Sequence, residues 1–389
     1  MYCLTNDYLK SVSPWDIPLP YRCSQLRRYI DDKRMVSIHV YEHPDTSTFR
    51  YRGYNFMQIT SENDSEWKCI YFFRYELKTL EKYLRSIHLI TLIRMRWNQD
   101  LEDFIMHAKR LGIKVLFDVD DLVFDLKYLM LLRSTLNVPS TEEKDDFWFA
   151  YVSRIGFTAS KAEGFTTTNE FLGKKLQEKY QKEIRVIPNF LNREQFEISE
   201  SLRRQKAENK SQEPFTIGYF SGTPTHINDF GVVCQEILSL LDDFNMRLLV
   251  VGFMEFPPEA QEYIRKKQIL FVPLVDFIEL QRQVAQVDIN IVPLVNNSFT
   301  NCKSEIKFFE AALVDTITVA TPVFSYSNCI ANGINGFLCQ DGEWYEQISR
   351  IYKNIPQMES IVRAARDYSI THYSGEKILR AINSAYEFF

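Results

Sequence analysis

Lys303, Lys307 and Glu310 fall within about two helical turns in the stretch "NCKSEIKFFEAAL", residues 301–313. The stretch follows the apolar run "INIVPL" and precedes "TITVATPV", so it leads from one buried strand to the next. Ser304 is placed to cap a helix whose core face is Ile306, Phe309 and Leu313. Lys307 and Glu310 are three apart and could pair on the surface for a few tenths of a kcal/mol. Cations at a helix N-terminus oppose the helix dipole, however. Two lysines there make local sense if an anion lies between them, and both readings stay open on these residues alone.

Three further stretches carry chemistry. "IGYFSGTPTHINDF" (217–230) ends a strand at Phe220 and feeds a Ser-Gly-Thr loop into a helix with Phe230, Val233, Ile237 and Leu241 on its apolar face. Gly222 lets a ligand approach the backbone, and the helix start offers N–H groups to an anion. A tight turn capped by Asn228 or Asp229 explains the same residues. "KVLFDVDDLVFD" (114–125) gathers Asp118, Asp120 and Asp121 at a strand end. Clustered carboxylates suit proton handling, and capping of the next helix accounts for them as well. "HPDTSTFRYRGYN" (43–55) follows the first strand and sets Arg50, Tyr51 and Arg52 on the rim of the expected cleft. Arginine suits a phosphate or lipid-diphosphate group, although surface arginines usually have no specific partner. No G-x-x-x-x-G-K-S/T is present, and no G-x-G-x-x-G follows a strand, which excludes a Walker-type loop and a Rossmann-type oxidoreductase.

The elements that must hold these residues alternate. Expected strands are 35–41, 68–73, 87–93, 113–119, 164–168 and 184–188, with helical patterns between them, such as "NQDLEDFIMHAKRLG" stopping at Gly112. After the charged run "SESLRRQKAENKSQEP" the alternation restarts with "FTIGYF", "MRLLVVG", "ILFVPLV", "DINIVPL" and "TITVATPVF". This pattern predicts two α/β units with parallel sheets and a ligand cleft between them. The expected boundaries are a first domain over 1–198, a polar linker over 199–214 and a second domain over 215–365. A C-terminal helix, 366–389, packs back on the first domain. At 389 residues, two cores are the default expectation.

A formal net charge of -5 argues against a nucleic-acid partner. Seven scattered cysteines without a C-x-x-C point to reduced thiols in a cytoplasm and to no zinc ribbon. "MYCLTNDYLKSVSPWDIPLP" does not read as a signal peptide, and no apolar run reaches the roughly 18 residues of a membrane span. The basic runs "LRRYIDDKR" and "LGKKLQEKYQKEIR" leave peripheral contact with an anionic inner membrane face open.

"RVIPNFLNREQF", "IGYFSGTPTH", "LLVVG", "DINIVPL", "KSEIKFFEAAL" and "GINGFL" occur in the order found in retaining glycosyltransferases of the GT-B fold. The chain resembles family 4 of those enzymes, in the branch that builds cell-surface polysaccharides, closely over residues 160–350 and loosely before them. The resemblance implies two facing Rossmann-like domains. It further implies sugar transfer from a nucleotide-diphosphate donor to a glycan, lipid-linked or protein-linked acceptor, with no cofactor and no metal.

Residue by residue, the resemblance assigns Glu310, the second glutamate of the family's E-x7-E motif, to the donor ribose, and places Cys302 where the first glutamate stands. Lys303, Ser304 and Lys307 take up the diphosphate beside Gly222, Thr223 and His226. The loop at 271–274, with Val272, reads the base. Asp120 and Asp121 fall where the family has a His-Asp pair facing the reacting sugar. Arg50, Tyr51 and Arg52 replace a glycine-rich acceptor loop. Cys302 in place of glutamate also fits a non-catalytic relative that serves as a binding or chaperone subunit. Asp118 and Asp120 form a D-x-D like the metal motif of a different glycosyltransferase fold, one that the two-domain layout contradicts.

Overall fold

Residues 13–136, 141–208, 214–222 and 227–389 are described by a computed structural model. The apolar runs with β-branched and aromatic residues become strands buried on both faces, as helix-covered parallel sheets require. In the first half these are β1 (Met35–Tyr41), β2 (Trp67–Phe73), β3 (Leu89–Ile93), β4 (Lys114–Val119), β5 (Gly164–Thr167) and β6 (Ile184–Val186). They pair in parallel in the order β2-β1-β3-β4-β5-β6. The second half forms β7 (Phe215–Ser221), β8 (Met246–Gly252), β9 (Ile269–Val272), β10 (Ile289–Val292), β11 (Ile317–Ala320) and β12 (Phe337–Leu338). Their order is β12-β11-β10-β7-β8-β9, again parallel.

Strand order reverses between β1 and β3 in one sheet and between β7 and β10 in the other. Each reversal opens a crevice outside the carboxyl ends of the strands, where ligands of such sheets bind.

The domains share a core. Phe308, Phe309 and Leu313 of the second domain pack with Tyr51, Phe56 and Phe190 of the first, and Trp15 meets Phe277 with ring centroids 5.7 Å apart. The helix Glu359–His372 stays on the second domain, while Gly375–Phe388 lies against β2, β6 and the helix Asn55–Glu62. There Tyr386 Oη is 2.8 Å from His39 Nε2.

The polar linker is corrected by the fold. Residues 199–208 belong to a 16-residue helix, Arg193–Glu208, which packs along Phe277–Ala285. Its sequence is poor in large apolar residues because polar contacts anchor it. Lys206 Nζ donates to the carbonyls of Val287, Val314 and Asp315 and to Thr316 Oγ1 at 2.9–3.3 Å. Residues 209–213 lie outside the described residues. The six described cysteines are buried and unpaired. No helix among the described residues is long and apolar enough to cross a membrane.

Candidate functional site

The second-domain wall is the segment after β10. A short helix, Ser298–Asn301, ends at Cys302, and a second, Ile306–Ala312, starts after Glu305. Ser304 is therefore not the N-cap; Glu305 takes that position, and Ser304 Oγ accepts from Asn189 Nδ2 at 2.9 Å. Asn169, which caps the helix Glu170–Tyr180, donates to the Cys302 carbonyl at 2.9 Å, and Ser325 Oγ donates to that of Lys303 at 2.5 Å. Two asparagines at strand ends of the first domain thus hold this segment, Asn169 at the segment's backbone and Asn189 at the Ser304 hydroxyl.

Lys303 Nζ lies 4.0 Å from Asp121 Oδ2 across the domains. Lys307 is half-buried with Nζ 5.6 Å from the Tyr219 ring centroid, and it has no ion pair or side-chain hydrogen bond among the described residues. Burial pushes its ammonium down to about 8; Asp229 and Glu310 oppose that shift and Lys303 adds to it. At the end of β8, Gly252 is obligatory: φ is +109°, and a Cβ would stand 1.6 Å from the Ser221 carbonyl oxygen, so the ends of β7 and β8 can close only on glycine. Gly222 is exposed, with open space where a Cβ would be. Val272 ends β9, half-buried, next to exposed Leu274. Thr223 and His226 lie outside the described residues.

The first-domain wall is the end of β3 and β4. Asp118 points inward: Arg52 grips it with Nε at 2.9 Å and Nη2 at 2.6 Å, and Thr166 Oγ1 donates at 2.6 Å. Its carboxylate is saturated by core partners. Asp120 points outward, its Oδ2 accepting from Thr48 Oγ1 at 2.7 Å and its Oδ1 lying 3.4 Å from Arg94 Nη1. Asp121 Oδ1 accepts from its neighbour's amide, Leu122 N–H, at 3.1 Å. Arg94 is held well above the ordinary guanidinium value: burial opposes the charge, but Tyr151, Asp120 and Asp121 outweigh it.

The expected rim of arginines is corrected. Arg50–Tyr54 forms a π-helical turn with all five residues buried. Arg52 is fully enclosed and donates to Asp118, to the Ile187 carbonyl at 2.7 Å and to Asn189 Oδ1 at 3.3 Å, so no acceptor can reach it. Arg50 and Tyr51 point at the second domain, where Glu310 Oε1 accepts from Tyr51 Oη at 2.5 Å, Gln195 Nε2 at 2.9 Å and Arg50 Nη2 at 3.3 Å. Cys302 is fully buried in the core with Phe277 and Phe299. Sequence reading missed Arg94, Asn169, Asn189 and Gln195. The two asparagines sit just past β5 and β6, and polar residues at parallel-strand ends are the signal that could have found them.

Residues 214–354 match the family model of glycosyl transferases group 1. That match covers the second domain. Over the whole chain, the fold is that of GT-B glycosyltransferase structures. HepE from Anabaena in complex with UDP and glucose superposes with a TM-score of 0.59 at 11% identity, covering 92% of this chain and 100% of that one. Sucrose-phosphate synthase from Thermosynechococcus elongatus gives 0.60 at 14%, covering 91% and 99%. A glycosyltransferase from Rickettsia africae gives 0.59 at 16%, covering 91% and 98%. No curated protein sequence matches the chain.

Proposed function

We propose that the protein transfers a sugar, of the hexosyl type, from a nucleotide-diphosphate donor to a hydroxyl of a glycan, lipid-linked or protein-linked acceptor. In this reading transfer proceeds with retention, without metal, and serves cell-surface polysaccharide or glycoconjugate synthesis on the cytoplasmic side, soluble or peripheral to the inner membrane face. The observation that carries the reading is the approach of Lys303 to Asp121 at 4.0 Å, which sets a basic segment of one crevice against the carboxylates of the other.

Lys303 and Lys307 would neutralise the departing diphosphate, where charge develops in the transition state. Asp120 and Asp121 would face the donor sugar and the attacking hydroxyl from the opposite wall. Ser304 and Gly222 would contact the diphosphate from the second domain, and Val272 would meet the base. Glu310 would hold the ribose once its Arg50, Tyr51 and Gln195 contacts are exchanged. Because HepE complexes contain UDP, glucose or UDP-glucose, UDP-glucose is the first donor to test in a panel of nucleotide sugars. Turnover that survives exhaustive chelation supports the reading; strict dependence on a divalent ion removes the metal-independent part of it.

A second reading, a non-catalytic binding or chaperone subunit for a partner enzyme, is favoured by Cys302 in the core and by the closure of Glu310 against the first domain. Binding of UDP without turnover of any nucleotide sugar selects it.

A further inference from the structure

Arg94 follows β3, at the point where strand order reverses in the first sheet. Its φ is +47°, in the left-handed region that is unfavourable for a residue with a Cβ. The backbone is pinned there by its N–H donating to the Asp118 carbonyl at 2.8 Å. This geometry turns the side chain back across the strand ends. Nη1 then reaches Thr48 Oγ1 at 3.3 Å and Asp120 Oδ1 at 3.4 Å, while Nε is buried with no hydrogen-bond partner.

Arg94–Asp120 differs from the two buried arginine–carboxylate pairs of this domain. Arg52–Asp118 and Arg22–Glu76 are buried and two-pronged, with hydrogen bonds of 2.6–2.9 Å. Arg94–Asp120 is single-pronged, longer and half-open, with side-chain exposures of 20% and 14%. Neither Arg22 nor Arg52 sits on left-handed backbone, whereas Arg94 does. Strained backbone at a crevice points to function. Together, Thr48 on Oδ2 and Arg94 on Oδ1 fix the plane of the Asp120 carboxylate, with Asp121 and Lys303 beside it and Tyr41 and Tyr151 around the guanidinium.

We infer that Arg94 is a positioning residue that orients the Asp120 carboxylate toward the reacting sugar and acceptor hydroxyl. The inference rests on the sugar-transfer reading above and adds a residue to it.

The test measures turnover, donor KM and calorimetric UDP affinity for the intact chain, with whichever nucleotide sugar the wild type uses. Arg94→Ala should lower kcat on the order of 100-fold and leave donor KM and UDP affinity unchanged. Arg94→Lys should recover part of the rate, because an ammonium supplies charge without the planar fork. If Arg94→Ala fails to fold, Arg94→Gly removes the side chain with no penalty at positive φ and replaces it. The decisive variant is the double, Arg94→Ala with Asp120→Asn. It should lose no more than Asp120→Asn alone, because Arg94 acts through that carboxylate. Multiplying losses, or UDP affinity falling in step with kcat, overturn the inference alone. A wild type that turns over no nucleotide sugar overturns the sugar-transfer reading and the inference together.

Discussion

Tyr51 donates its phenol to Glu310 at 2.5 Å from the first domain to the second, the shortest of three hydrogen bonds on one carboxylate oxygen. The contact joins the π-helical turn after β1 to the helix Ile306–Ala312, and the helix Arg193–Glu208 adds Gln195. A ribose competing for Glu310 must displace these donors or use the other oxygen. Tyr51→Phe should therefore lower the stability of the free protein by about 1.5–3 kcal/mol, the range for a hydrogen bond to a charged group. The same change should tighten ribonucleotide binding. Thermal unfolding and UDP titration read both effects, and UDP binding that stays the same or weakens confines Glu310 to the domain interface.

Arg52 and Asp118 form a fully buried pair. Asp118→Asn or Arg52→Met leaves its partner charged and unpaired, at a cost of about 3–5 kcal/mol. The double variant should recover much of that loss. Urea denaturation gives the comparison. A change in acceptor KM at wild-type stability would return Arg52 to the acceptor site.

Lys307 carries the pH dependence of donor binding. With its ammonium pushed down to about 8 in the free protein, it is charged below that pH and increasingly neutral above it. UDP affinity should fall as pH rises through about 8, and uridine affinity should not. Lys307→Ala should lose about 1.5–3 kcal/mol of UDP binding and flatten the profile. A wild-type profile already flat through that pH places the lysine away from the diphosphate.

His39 supplies a stability signal from outside the crevice. It is fully buried, its Nδ1 is 2.8 Å from the Arg52 carbonyl oxygen and its Nε2 is 2.8 Å from Tyr386 Oη. The Nδ1–H tautomer donates to the carbonyl and accepts from the tyrosine. Burial lowers the imidazole from 6.5 to about 4. Between those values the unfolded chain binds a proton that the folded chain refuses, so stability rises with pH across the window and falls as pH drops through it. The loss approaches about 3 kcal/mol at the acid end, at ~1.4 kcal/mol per pH unit. His39→Gln should flatten this part of the stability profile. An unchanged slope between pH 6.5 and about 4 would assign acid sensitivity to other groups.

Strands and crevices were legible in the sequence because burial on both faces writes itself as continuous apolar runs. β1 spans Met35–Tyr41 as read, and the lysines fall beyond β10, where ligands of such sheets bind. Partners of the charged residues were not legible. Arg52 and Asp118 are 66 residues apart, and Arg50 and Glu310 are 260 apart. Local periodicity reports how deeply a residue sits, whereas the pairing of two charges depends on strand order and on how the domains dock. "FRYRGY" therefore reads as an exposed basic loop, and sheet order turns it into the buried turn that closes the two domains. "SESLRRQKAE" reads as a linker because a helix held by Lys206 on carbonyl oxygens needs little apolar surface of its own. Only the tertiary structure, through the left-handed backbone after β3, brings Arg94 to Asp120.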